Sequence, residues 1–114
     1  MKQIPDMFNT NELTFYTEDA LKAGMTVEID SDGKIKTASK GSRFAGVCTK
    51  VSGNYATVAL TGIVTTAYTG NAPACGFELI SADGDGNIKS DITSDVDYLI
   101  LNVNEEEHLV TFML

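Results

Sequence analysis

The stretch that decides the fold of this chain is residues 27–62, VEIDSDGKIKTASKGSRFAGVCTKVSGNYATVALTG. Apolar and polar residues alternate in short runs, as the two faces of a half-buried strand require. Residues 30–33 (DSDG) and 52–54 (SGN) separate these runs, and their residue types favour tight hairpin turns. The stretch therefore predicts a meander of antiparallel strands.

A looser version of the same pattern returns at residues 77–114, where residues 83–86 (DGDG) form the corresponding Asp-Gly turn. Two interpretations remain open: an internal duplication, or chance similarity between meanders that use the same turn residues. Both predict an all-β fold, because short strands separated by Gly, Asp and Asn turns are typical of a small antiparallel β-barrel or sandwich.

The flanking segments complete the predicted organisation. Residues 1–16 lack a clean helical or strand period, and we expect them to form an extended N-terminal arm, either irregular throughout or ending in a short strand. Residues 17–24 (TEDALKAG) begin with an N-cap candidate and end in Gly, which predicts one short helical turn. The remaining residues, 17–114, are then predicted to form a single β domain, which has two similar halves, 27–62 and 77–114, if the repeated pattern is a duplication.

Between the two halves, the sequence predicts one long strand and one loop. Residues 55–66 carry small polar residues between apolar ones, which is typical of a central strand, and Gly62 favours a bulge or bend within it. Residues 67–76 (AYTGNAPACG) are mostly small residues with Pro and Gly, and we expect a loop there.

The charge balance limits the partners of the chain. The 114 residues carry a net charge of −8, so the surface should repel phosphate backbones, and direct nucleic-acid binding is not expected. No run approaches the roughly 20 apolar residues of a membrane helix, and the first residues lack the apolar core of a signal peptide. We therefore expect no membrane association and synthesis in the cytoplasm, where Cys48 and Cys75 would be free thiols.

No combination of residues predicts a catalytic or metal site. Asp83, Asp85 and Asn87 match the first ligands of a calcium loop, but Ile88 stands where a sharp turn needs Gly. Lys34 at a hairpin tip is a weak candidate for the modified lysine of a carrier domain. The chain is therefore predicted not to be an enzyme, with no catalytic residues, no metal and no cofactor.

The order of three short motifs is more informative. Ala23-Gly24 precedes a strand, Gly46-Val47 opens another, and Gly62-Ile63-Val64 ends a third. This arrangement, which covers roughly half of the chain, resembles the capsid decoration (cement) proteins of tailed bacteriophages.

The resemblance implies a structural role in the virion. It implies a small β protein that binds the outer surface of the mature head, commonly as a homotrimer. It further implies that the protein stabilises the head by bridging neighbouring major capsid protein subunits.

Two sets of contact candidates follow from this hypothesis. The apolar side chains of the arm could pair with the shell, or could instead close the protein's own barrel. These candidates are Phe8, Leu13, Phe15 and Tyr16. The loop 67–76 supplies Tyr68 and Pro73 as candidates for the shell contact or for burial between the subunits of a trimer.

A second hypothesis is a ligand-binding β module, such as a carbohydrate-binding or tail-associated host-recognition domain. Such a module needs an exposed aromatic platform, and the sequence offers Tyr55, Tyr68 and Tyr98 for it.

Overall fold

The computed structural model describes residues 11–114, which form ten β-strands and no helix. The strands are β1 (Asn11–Tyr16), β2 (Thr26–Ile29), β3 (Ile35–Thr37), β4 (Gly46–Ser52), β5 (Tyr55–Thr61), β6 (Ile63–Thr69), β7 (Gly76–Ala82), β8 (Ile88–Ser90), β9 (Asp97–Asn104) and β10 (Leu109–Met113). The predicted all-β fold is confirmed.

The strands form two separate sheets. The first five strands make an open sheet in the order β1-β5-β4-β2-β3, and the last five close a barrel in the order β10-β6-β8-β7-β9. Gly62 joins the sheets at a φ of 107°, a value that suits a residue without a Cβ. The predicted central strand is therefore two strands that belong to different sheets, with the expected bend between them.

The two halves of the chain share one pattern of strand pairing. Each half contains two hairpins, β2–β3 and β4–β5 in the N-terminal half and β7–β8 and β9–β10 in the C-terminal half. In each half, the first strand pairs with the last, β1 with β5 and β6 with β10. The structural repeat thus spans residues 11–61 and 63–113, and each half begins one strand earlier than the repeat visible in the sequence.

Side-chain hydrogen bonds repeat along with the strands. The carboxylate Oδ1 of Asp30 accepts bonds from the backbone N–H groups two and four residues later, at 2.8 and 3.0 Å. Asp83 makes the same pair of bonds, also at 2.8 and 3.0 Å. Both turns are therefore held by an Asp side chain, which is the reason that this residue type suits them.

Two hydrophobic clusters fill the molecule. The smaller one lies within the N-terminal half and consists of Leu21, Val27, Ile35, Cys48, Ala56 and Val58. The larger one joins both halves, since Ala38, Phe44, Val47 and Ala59 of the N-terminal half pack with Val64, Tyr68, Ile80, Ala82, Ile88, Tyr98, Ile100, Val110 and Phe112 of the C-terminal half. The halves consequently share one core.

The prediction of a helical turn over residues 17–24 is wrong. The N–H of Thr17 donates to the carbonyl of Asn54 at 2.8 Å, and Thr17 also bridges to Ile35. Leu21 turns inward and is buried in the N-terminal core. These tertiary contacts hold the segment in an irregular conformation and override its local helix signals.

The prediction of a loop over residues 67–76 needs correction at both ends. Strand β6 continues to Thr69 because its last residues pair with β8. Strand β7 already begins at Gly76. The connecting loop is therefore residues 70–75.

Candidate interaction surfaces

The apolar residues predicted for the N-terminal arm lie partly in the protein's own sheet. Leu13, Phe15 and Tyr16 belong to β1, which pairs with β5 over its whole length. Phe8 lies outside the described residues. Within the described residues 11–16, the segment predicted as an extended arm is strand β1, and β5 pairs with one of its backbone edges.

The three β1 side chains have different surroundings. Phe15 is half-buried and packs against the N-terminal core. Leu13 is 56% exposed and Tyr16 is 39% exposed. Among residues 11–114, β1 is the edge strand of an open sheet, so its outer edge presents backbone groups, with Leu13 and Tyr16 projecting from opposite faces beside it.

Tyr16 lies directly opposite Tyr55 across the β1–β5 pair, and the rings meet edge to face with centroids 5.8 Å apart. The Lys34 ammonium lies 5.7 Å from the centre of the Tyr16 ring and forms an ion pair with Glu18 at 2.7 Å. The Lys34 ion pair raises the pKa of that amine. This group is an exposed aromatic and charged patch on the outer face of the open sheet.

The other predicted contact residues are in the interior. Tyr68 lies in β6, is 4% exposed, and belongs to the shared core. Pro73 is also buried. Neither side chain presents a surface to a partner. Tyr98 is 9% exposed, so of the aromatic platform proposed for a ligand-binding module only Tyr55 is at the surface.

Sequence reasoning missed an apolar row on the outside of the barrel. Phe77 pairs with Leu99, Leu99 pairs with Met113, and Met113 pairs with Ile63, so the four side chains cross four strands on one face. Phe77 is 74% exposed and Met113 is 37% exposed. In the sequence, Phe77 and Met113 alternate with the buried Ile80 and Phe112, and this alternation marks both as outward-facing residues. Only the strand register places the exposed side chains next to one another.

The β8–β9 loop reaches this apolar row at Val96. Ile92 in this loop is 92% exposed, the largest value among the exposed large apolar side chains of residues 11–114. Val96, at the end of the loop, lines a groove of about 380 Å³ together with Phe77, Leu99 and Met113. Exposed apolar side chains that share one groove are typical of interaction sites.

The Asp83 carboxylate of the second acidic turn accepts hydrogen bonds from groups within the protein. Asp83 accepts hydrogen bonds from two backbone N–H groups, from the Asn87 side chain and from Thr69. Burial raises the pKa of Asp83, but these hydrogen bonds outweigh burial and the net pKa is lowered. Among residues 11–114, no three His, Cys, Asp or Glu side chains are grouped to hold a metal ion.

The two cysteines are free thiols, as the sequence predicted. Cys48 is buried in the N-terminal core, and burial raises the pKa of its thiol. Cys75 is exposed in the loop 70–75. The two thiols therefore differ in access to reagents.

No protein-family model matches this chain, and no curated protein matches it. Residues 11–114 contain no helix of the length and hydrophobicity that crossing a bilayer requires.

Proposed function

We propose that this chain is a capsid decoration protein of a tailed bacteriophage. It binds the outer surface of the mature head as a homotrimer and stabilises the head by bridging major capsid protein subunits. The observation that carries the proposal is the order of the three motifs Ala23-Gly24, Gly46-Val47 and Gly62-Ile63-Val64.

The position of these motifs in the fold supports the proposal. Gly24 adopts a φ of 92° just before β2, Gly46 opens β4, and Gly62 bends the chain between the sheets. A Cβ on Gly46 would collide with the carbonyl oxygen of Ala59 and lie 2.8 Å from a Val58 methyl group. Each of the three glycines thus has a structural role, either a positive φ or close packing against a neighbouring strand, as expected of residues that define a fold family.

The shared core also suits a protein that must resist deformation. Both sheets pack on one hydrophobic cluster, so the halves support each other mechanically. A trimer would engage three sites on the shell at once, and the resulting effective concentration strengthens attachment without a large contact per subunit.

The outer edge of β1 is the proposed contact with the shell. An edge strand can accept an extended segment of another protein through backbone hydrogen bonds, while exposed side chains provide specificity. Leu13 and Tyr16 are the exposed apolar residues of β1. The major capsid protein would therefore pair with β1 and cover both side chains.

Mixing the purified protein with expanded, undecorated heads of tailed phages tests the proposed function. The expected result is saturable, stoichiometric attachment, measured by co-sedimentation and by the resistance of the heads to heat. An absence of attachment to any such head, with the protein folded, would contradict the proposal.

Point substitutions test the contact better than truncation does, because deletion of residues 1–16 would remove β1 from the sheet. Leu13→Ser and Tyr16→Ser should each weaken attachment about tenfold or more, as loss of a central apolar contact does. Val51→Ser is the matched control, since Val51 is 38% exposed and lies on β4. Equal attachment by all three variants would exclude β1 as the contact.

A second candidate function is a carbohydrate-binding module. The exposed Tyr16–Tyr55 pair with its neighbouring Lys34 and Glu18 favours it, because sugars bind to aromatic rings flanked by polar groups. Binding of a glycan, lost in Tyr55→Ser and not in Leu13→Ser, would support this function over attachment to heads.

A further inference from the structure

One part of the contact between the two halves is a pair of backbone hydrogen bonds between the β3–β4 loop and the end of β7. The N–H of Gly41 donates to the carbonyl of Ala82 at 2.8 Å, and the N–H of Ala82 donates to the carbonyl of Ser42 at 3.1 Å. Strand β7 pairs with β9 only from Gly76 to Leu79, so the edge beyond those residues is free for the β3–β4 loop. The loop therefore adds to the end of β7 as a short extra strand.

The same contact has an apolar component. Phe44, near the end of the β3–β4 loop, stacks on Tyr98 at 5.2 Å and meets Phe112 edge to face at 6.0 Å. Val47 and Ala59, on neighbouring strands, are 2% and 0% exposed in the same cluster. The loop and this pair of strands together cover the core of the C-terminal half.

The C-terminal half repeats these covering elements, and among residues 11–114 their outward-facing apolar side chains stay exposed or half-exposed, with Arg43 of the β3–β4 loop bordering them. The β8–β9 loop corresponds to the β3–β4 loop and carries Ile92 and Val96. The bulged hairpins β4–β5 and β9–β10 align so that Val47 corresponds to Leu99 and Ala59 to Met113. Together with Phe77 these residues form the surface that we call the apolar end face: Phe77, Ile92, Val96, Leu99 and Met113.

The N-terminal half likewise repeats the receiving element. Ile29 precedes the turn of Asp30 just as Ala82 precedes the turn of Asp83. Strand β2 pairs with β4 only at Thr26 and Val27, so its edge at Ile29 borders a groove. This Ile29 groove has a volume of about 430 Å³ and is lined by Glu28, Ile29, Ser42, Arg43, Phe44 and Ala45. Ile29 itself is 45% exposed.

From this repetition, we infer that the apolar end face of one copy of the chain docks into the Ile29 groove of a second copy. The β8–β9 loop adds to the end of β2, and the apolar row covers Ile29. A second copy is the occupant that fits, because this chain carries both the covering and the receiving element of a contact already formed between its halves. The contact joins two different surfaces, and each copy of the chain carries one apolar end face and one Ile29 groove.

Charge does not select this pairing, and the apolar contact carries it. The β8–β9 loop carries Asp91 and Asp95, the Ile29 groove is lined by both Arg43 and Glu28, and Arg43 also borders the apolar end face. The chain has a net charge of −8, which opposes association over longer distances. At about 0.15 M salt the screening length is about 8 Å, so this long-range repulsion is largely removed and the local contact decides.

Sedimentation equilibrium of the full chain at about 0.15 M salt measures the association directly. We expect a mass above that of one chain at protein concentrations between about 1 μM and 1 mM, the range of weak to moderate interfaces. A chain that remains monomeric throughout this range would overturn the inference. The measurement contains no phage heads, so its failure leaves the proposed shell attachment untouched.

Three variants identify the surfaces. Phe77→Ser removes the most exposed residue of the apolar row and should weaken association about tenfold or more, as loss of a buried aromatic anchor does. Ile92→Asp replaces the exposed apolar side chain of the β8–β9 loop and should also weaken association. Ile29→Lys places a long charged side chain at the groove and should block docking there. Tyr55→Ser is the control, because Tyr55 is 56% exposed and lies outside both surfaces. Circular dichroism establishes that each variant is folded.

Mixing variants provides the decisive measurement. Ile92→Asp retains an intact groove and Ile29→Lys retains an intact apolar end face, so an equimolar mixture should form a one-to-one heterodimer that neither variant forms alone. Association of the control at wild-type strength is also expected. A mixture that stays monomeric, or an Ile29→Lys variant that associates like wild type, would show that the end face does not bind the groove.

Discussion

Replacing Phe44 with Ala tests the conclusion that the two halves share one core. Phe44 is 3% exposed and contacts the rings of Tyr98 and Phe112, which belong to the other half. Among residues 11–61, the substitution removes the one aromatic ring that enters the shared cluster. It therefore weakens the packing between halves while leaving both sets of strand pairs intact.

The size of the effect follows from this burial. Loss of a buried Phe side chain costs about 3–5 kcal/mol, which includes the transfer of the ring and the cavity left behind. Because two aromatic neighbours lose a ring contact worth about 0.5–1.5 kcal/mol each, we expect a value near the upper part of that range. A domain of this size is stable by about 5–15 kcal/mol, so Phe44→Ala should fold but with little margin.

Urea unfolding followed by far-ultraviolet circular dichroism measures the change. With a slope of about 2 kcal/mol per molar urea, the midpoint should fall by about 2 M. Phe77→Ala is the matched control, since Phe77 is 74% exposed and its loss should cost about 0.5 kcal/mol or less. A loss below about 1.5 kcal/mol for Phe44→Ala, or separate transitions for the two halves of the wild type, would refute the shared core.

Three further predictions concern single residues. Gly46→Ala should destabilise the protein by about 2–3 kcal/mol in urea unfolding, because the added Cβ collides with the carbonyl of Ala59. Asp91 has its pKa lowered from 3.8 to about 2 by hydrogen bonds from hydroxyl and backbone groups, so its contribution to stability is present above pH 4 and lost towards pH 2. Asp91→Asn should therefore lower the urea midpoint at neutral pH, and the difference from wild type should vanish near pH 2. A thiol reagent should modify Cys75 in the folded protein and Cys48 only after unfolding.

Each of these predictions has a control within the chain. Gly53→Ala places a Cβ in open space and should cost only the strain of its positive φ, about 1 kcal/mol. A similar loss for both glycine variants would rule out the collision at Gly46. A difference between wild type and Asp91→Asn that persists at pH 2 would assign the effect to geometry rather than charge. Equal reaction rates of both thiols would contradict the burial of Cys48.

Local features of the fold could be predicted from the sequence because they depend on neighbouring residues. The hairpin turns at 30–33 and 83–86 rest on an Asp side chain that bonds to backbone N–H groups two and four residues later. The bend at Gly62 depends on a φ that favours glycine. Such interactions span few residues, so the residue types alone indicate them.

The candidate surfaces were harder to predict because they depend on register. The contact residue predicted at Tyr68 is buried, since β6 extends further than its composition indicated and pairs with β8, and Pro73 is buried in the loop that follows. The apolar row through Phe77, Leu99 and Met113 comes from three different strands, and only their pairing register places the three side chains side by side. A shift of one residue in any pairing would turn a side chain to the opposite face.

The sequence by itself determined that this chain is all-β, where its hairpins turn, and that its glycines stand at junctions, because alternation and turn chemistry act over a few residues. The tertiary structure alone decided that residues 17–24 are not helical and that the run 55–66 is divided between two sheets. It also decided that Phe44 enters the core of the other half while Phe77 stays at the surface. These outcomes depend on which long-range partner each segment finds, and burial against that partner outweighs local preference.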